Sequence, residues 1–194
     1  MTAPDAILRF WLDEVGEAGW YRAPEGLDDR IRARFMGDWI DAPALVADWT
    51  GTAEGALAAL ILTDQFPRNM FRDDARAYAT DPLARRIARV ALEAGFDLAT
   101  PAPARQFFYM PLEHSEAMAD QDRAVALFAE RMPGENLRHA RLHRDTIARF
   151  GRFPWRNAAL DRVSTPAEQA LLDAGGYGAL VSGRASLDAG AAAD

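Results

Sequence analysis

Two short passages of the chain echo each other, Asp64-Gln-Phe-Pro-Arg-Asn-Met-Phe-Arg72 and Arg149-Phe-Gly-Arg-Phe-Pro-Trp-Arg-Asn157. Each places a Phe-Pro pair next to arginine and asparagine at the end of a helical apolar pattern, where proline interrupts the backbone ladder. Guanidinium and carboxamide donors presented from rigid turns suit carboxylate, phosphate or carbonyl oxygens better than cations. The candidate ligand-binding residues are therefore Asp64, Arg68, Asn69, Arg72, Arg149, Arg152, Trp155, Arg156 and Asn157.

Asp64 belongs to the first passage for a further reason. At about 100° per residue, Leu57, Ile61, Asp64 and Arg68 share one narrow stripe if the helix persists through Pro67. The preceding run from Ala56 to Leu62 is apolar on every side, so the helix belongs in the interior and the carboxylate needs a partner. An arginine is the natural one. The structural reading is a buried ion pair; the functional reading has Asp64 orienting Arg68, Asn69 or Arg72 toward a ligand.

A second constellation, Phe107-Phe-Tyr-Met-Pro-Leu-Glu-His-Ser-Glu116, sets Glu113 and Glu116 around His114 downstream of an aromatic wall. General acid-base chemistry uses such a group, and the catalytic candidates are His114, Glu116 and His143. The plain alternative is that Ser115 caps the following helix and Glu116 favours its positive end. Between Arg138 and Arg156 lie six arginines and one acid, Asp145. Pairing of Asp145 with Arg141 and Arg149 at four-residue spacing makes much of this an ordinary solvated face, at about 0.2–0.5 kcal/mol per pair. His143 differs, since it rides with Ile147 and Phe150 on an apolar face. His139 and His143 have metal-like spacing, but no third ligand accompanies them, and neither a metal nor a cofactor is expected.

Composition closes several other routes. With no cysteine there are no disulfides, thiolate nucleophiles or cysteine-held metals, and the redox compartment is left undecided. All 22 basic residues are arginine, so lysine Schiff-base chemistry and the P-loop lysine are absent as well. A net charge of −7 argues against general affinity for nucleic acid. The amino terminus lacks the features of a secretory signal, and no apolar run approaches the ~20 residues that span a bilayer. A cytoplasmic protein with no membrane partner is the expectation; the oligomeric state is left open.

The elements that must position these groups are helical nearly throughout. Pro4 opens a helix carrying Ile7, Leu8, Trp11 and Leu12 that stops near Gly16, and Gly19 to Gly26 is a loop. Ile31, Phe35 and Trp39 mark a second helix from Leu27, Ala44 to Trp49 a third, and Thr52 opens the apolar helix that follows. Asp81-Pro82 starts a helix that Gly95 stops. Pro101, Pro103 and Pro111 leave room for a short aromatic helix. Ala117 to Phe128 forms another, and Gly134 separates it from one reaching Phe150. Thr165-Pro166-Ala167-Glu168 is a capping box for a last helix ending near Gly175. No stretch alternates as a strand does. At 194 residues the chain fits one all-α domain over 1–181, of antiparallel helix hairpins in a bundle or helix-pair stack, with a frayed tail over 182–194.

The strings LTDQFPRNMFR, FYMPLEHSE with ADQDRAV, and HRDTIARFGRFPWRNAALDR resemble the bacterial family called domain of unknown function 924, over most of the chain. The resemblance implies an all-helical, tetratricopeptide-repeat-like arrangement and no known activity. The polar positions it carries over are Asp64, Gln65, Arg68, Asn69, Arg72, His114, Ser115, Glu116, His143, Arg149, Arg152, Arg156 and Asn157. Two positions depart from the family pattern, which has histidine at Trp155 and glycine at Asp161. The preferred expectation is a pocket binding a small anionic or carbonyl-bearing molecule, with Arg68, Arg152 and Arg156 as oxygen clamps and Asn69 and Asn157 as orienting amides. The alternatives are a hydrolase or lyase using His114 or His143 with Glu116, and a peptide-binding helix-pair module.

Overall fold

The computed structural model describes residues 3–22 and 24–187, and its regular elements are all helical, with no strand among the described residues. The chain divides into two compact units, residues 1–111 and 112–194. None of the described helices is long and apolar enough to cross a membrane.

The first unit is built around the Ala53–Leu60 helix and its continuation Ile61–Gln65, in which every residue from Gly55 onward is buried. Thr52 caps it by accepting the Gly55 N–H at 3.1 Å. Glycine is required at 55 because a Cβ there would lie 1.9 Å from the Trp49 carbonyl oxygen. Around this helix close Phe10, Trp11, Phe35, Phe66 and Phe107, with ring centroids 4.8 Å apart for Phe35 and Phe66 and 5.5 Å for Trp11 and Phe66. Fully burying a phenylalanine contributes about 1.5–3 kcal/mol, so this cluster dominates the unit's core.

Two departures from 3.6-residue periodicity occur here. The first helical run contains a π-helical stretch, Arg9–Val15, and resumes as Gly16–Trp20 instead of ending at Gly16. The expected loop at 19–26 is shortened because the Trp20 indole donates to the Trp11 carbonyl at 2.8 Å and stacks on the Trp11 ring. The second π-helical stretch, Ile61–Gln65, carries the chain into Phe66–Met70. The Asp81–Glu93 helix and the left-handed Gly95 that follows it lie where their start and stop signals put them.

In the second unit Met118–Arg131 and Glu135–Phe150 pack on each other across a turn at Gly134, whose φ is 117°. Gly151, at φ 69°, ends the second of these, and short 3₁₀ turns at Pro154–Arg156 and Ala158–Leu160 follow. The capping box at Thr165 is formed, and Pro166–Asp173 is succeeded by a further helix, Gly176–Val181. Residues 184 and 185 of the expected frayed tail donate backbone N–H groups to the Ala179 carbonyl at 2.9 and 3.1 Å. Residues 188–194 of that tail lie outside the described residues.

Candidate functional site

In the first unit the Phe66-Pro67 pair sits inside a continuing helix. Proline at 67 has no N–H for the Thr63 carbonyl, the acceptor an α-helix would assign to it. The Thr80 hydroxyl donates to that carbonyl instead, at 2.6 Å, and accepts from the Trp39 indole at 3.1 Å. The π-helical turn keeps the chain helical past proline, and Asp64 and Arg68 meet as the stripe predicts, at 3.3 Å. Arg68 also binds both oxygens of Asp81 at 3.0 Å. Burial works against its charge, but the carboxylates of Asp64 and Asp81 outweigh it and raise the guanidinium pKa. Asn69 donates to the Gln65 carbonyl, while Arg72 binds Asp28 in a bidentate pair and donates to Asn69 Oδ1. Arg68 and Arg72 are thus held by carboxylates of their own unit.

The second Phe-Pro pair is built differently. Phe153 is extended, at φ −90° and ψ 109°, as a residue before proline prefers, and Pro154 opens a 3₁₀ turn. Arg152 binds both oxygens of the buried Glu168 at 2.5 and 2.7 Å and donates to the Val163 carbonyl. That hydrogen bond from Arg152 is the main reason the Glu168 pKa falls to about 2. Arg156 donates to the His114 carbonyl at 2.9 Å and lies 4.5 Å over the Phe153 ring. Asn157 donates to Ser164 and Glu168, and its buried Oδ1 has no partner among the described residues. Asp161 adopts φ 52°, a left-handed conformation that glycine takes without strain.

Glu116 does not serve a histidine. It binds Arg162 at 2.8 and 3.1 Å and accepts the Phe153 N–H at 2.9 Å. Its pKa is lowered on balance: burial opposes ionisation, and the Arg162 and Phe153 hydrogen bonds overcome it. The carboxylate on the imidazole is Glu113, whose Oε1 lies 2.9 Å from His143 Nδ1. The His139 carbonyl lies 3.0 Å from the same nitrogen. Two oxygen acceptors at Nδ1 require a proton there, so in the neutral ring the lone pair is on Nε2. Nε2 has no partner among the described residues.

All three histidines of the chain gather around this point. His114 lies 6.2 Å from His143 between ring centroids, and Tyr177, Phe153 and Trp155 lie 4.7, 5.3 and 6.0 Å from it. His139 Nδ1 is hydrogen-bonded to the Tyr177 hydroxyl. Burial, only partly offset by Glu113, lowers the His139 pKa. Ser115 donates to Asp120 at 2.7 Å and accepts the Ala117 N–H, anchoring the segment that carries Glu113 and His114 to the next helix. Among the described residues no three histidines or carboxylates are grouped to hold a metal ion. Tyr177 is missing from the candidate set because it lies beyond the glycine that signals the end of the last expected helix. Arg149 is exposed beside the Phe150 ring and has no carboxylate partner among the described residues, whereas Asp145, its expected partner, pairs with Arg144 at 3.3 Å.

Residues 7–176 match the family model described as a bacterial protein of unknown function, DUF924. The chain belongs to the DUF924 family. The solved structure of a protein of unknown function, ATU0120 from Agrobacterium tumefaciens, is 41% identical, covers 89% of this chain and 97% of its own, and superposes with a TM-score of 0.84. A comparison with curated protein sequences finds no match. The DUF924 resemblance placed histidine where this chain has Trp155, and the indole here stacks on Phe153 with ring centroids 5.0 Å apart.

Proposed function

We propose that the protein is a hydrolase-type acid-base catalyst whose centre is His143, with Glu113 as its orienting carboxylate and Trp155 and Tyr177 as the wall against which a small carbonyl-bearing substrate rests. The observation that carries this reading is the engagement of His143 Nδ1 by Glu113 at 2.9 Å while Nε2 has no partner among the described residues. Of the catalytic candidates His114, Glu116 and His143 it keeps His143, and Glu113 takes the place of Glu116.

Nε2 takes a proton from a water molecule as the water oxygen attacks the substrate carbonyl carbon. The imidazolium so formed carries protons on both nitrogens, and Glu113 stabilises it without itself being protonated. The Nε2 proton then passes to the leaving oxygen or nitrogen as its bond to carbon breaks, so one water is consumed and His143 returns to its starting state. Tyr177 and Trp155 lie 5.2 Å apart between ring centroids and offer an apolar face with two polar edges.

The test is a panel of esters, phosphoesters and amides assayed with the wild type, His143→Asn and Glu113→Gln. General-base removal is worth about 10²–10⁴-fold, so turnover should fall at least that far in His143→Asn and less in Glu113→Gln, with circular dichroism unchanged. No turnover by the wild type on any ester or amide, or equal turnover by His143→Asn, would sink the proposal.

A further inference from the structure

A cleft of about 290 Å³ lies in the second unit, between the end of the Glu135–Phe150 helix, the Pro166–Asp173 helix and the segment 184–187. Its charged lining residues are Arg149 and Arg184, and no carboxylate of the described residues lines it. Arg68, Arg72, Arg144 and Arg152 each bind an aspartate or glutamate within 3.0 Å. Arg184 donates only to the Ser182 hydroxyl, at 3.0 Å, and neither it nor Arg149 has an ion pair among the described residues. In a chain of net charge −7, two guanidiniums on one cleft with no carboxylate partner among the described residues are a local reversal of sign.

Apart from Ser186, the rest of the cleft is apolar. Ala170, Leu171 and Ala174 come from one face of the Pro166–Asp173 helix and its cap, and Phe150 closes the other side. The alanines are exposed, and their small side chains leave the space open. A carboxylate satisfies paired guanidiniums through charge-assisted hydrogen bonds, and an alkyl chain would cover the methyl groups beneath them.

We infer that this cleft binds a small amphipathic anion, an aliphatic carboxylate with its head on Arg149 and Arg184 and its tail along Ala170, Leu171 and Ala174. The site is separate from the His143 centre and does not depend on the reaction proposed there.

Octanoate is the probe, followed by calorimetry and by methyl NMR of the alanines. Octanoate should bind and shift the Ala170 and Ala174 methyl signals, while acetate and octanol at equal concentration should each bind at least tenfold more weakly. Arg149→Gln and Arg184→Gln should each lower octanoate affinity at least tenfold. Ala170→Leu, which keeps both arginines and fills the cleft, should abolish binding, and His143→Asn should bind as the wild type does. Octanol binding as tightly as octanoate, acetate matching octanoate, an unchanged affinity in the two arginine variants, or loss of binding in His143→Asn would each overturn the assignment.

Discussion

The two Phe-Pro segments share letters and almost nothing else. Around Pro67 the helix continues through a π-helical turn, the displaced carbonyl is taken by Thr80, and Arg68 is closed in by two aspartates. Around Pro154 the helix has already ended at Gly151, Phe153 is extended, and Asn157 Oδ1 in the following turn has no partner among the described residues. The same dipeptide becomes a helix interior where tertiary contacts supply its missing donor, and a helix exit where they do not. Chemistry follows the backbone. The first segment is an ion-paired knot in a core, and the second borders the histidine cluster, whose central ring has an Nε2 with no partner among the described residues.

The sharpest way to break this contrast is Asp81→Asn. It leaves Arg68 paired with Asp64 but removes two charge-assisted hydrogen bonds in a largely buried site, and hydrogen bonds to charged groups contribute about 1.5–3 kcal/mol each. Urea denaturation should show a midpoint shift of that size with an unchanged slope; a shift of a few tenths would mean the knot is not what holds the proline turn. Thr80→Val should cost about 1–3 kcal/mol, because it orphans the Thr63 carbonyl and the Trp39 indole together. Combining it with Pro67→Ala, which restores a backbone N–H, should recover part of the loss, and strict additivity in that double-mutant cycle would refute the proposed handover of the carbonyl.

The smallest effect belongs to the second unit and to acid. Arg152 holds Glu168 near a pKa of about 2, against 4.5 for a free glutamate, so the unfolded chain binds this proton first as the pH falls. The stabilisation is fully present above about pH 4.5 and is lost as the pH falls through about 2. Melting temperatures measured across this window should decline less steeply in Arg152→Gln than in the wild type; parallel curves would show that another carboxylate dominates the acid limb.

Most helix boundaries were legible because their signals are local. Thr52, the Asp81-Pro82 start, Gly95, Gly134 and the Thr165 capping box act within a turn of where they stand. The Asp64–Arg68 pair was legible for the same reason, four residues apart on one stripe. The π-helical stretches were not, since one extra residue per turn leaves no mark in an apolar pattern already buried on every side.

At the histidine cluster local reasoning reached its limit. The sequence by itself determined an all-helical chain with no lysine or cysteine chemistry, and it marked His114, His143 and both Phe-Pro turns as places of interest. It took the packing of distant segments to bring Glu113 and not Glu116 to His143, to complete the Arg68 knot with Asp81, and to hold Arg152 on Glu168 while Arg149 has no carboxylate among the described residues. The physical reason is that a buried charge is settled by whichever opposite charge the packing of distant segments brings within about 3 Å, and separation along the chain does not encode that distance.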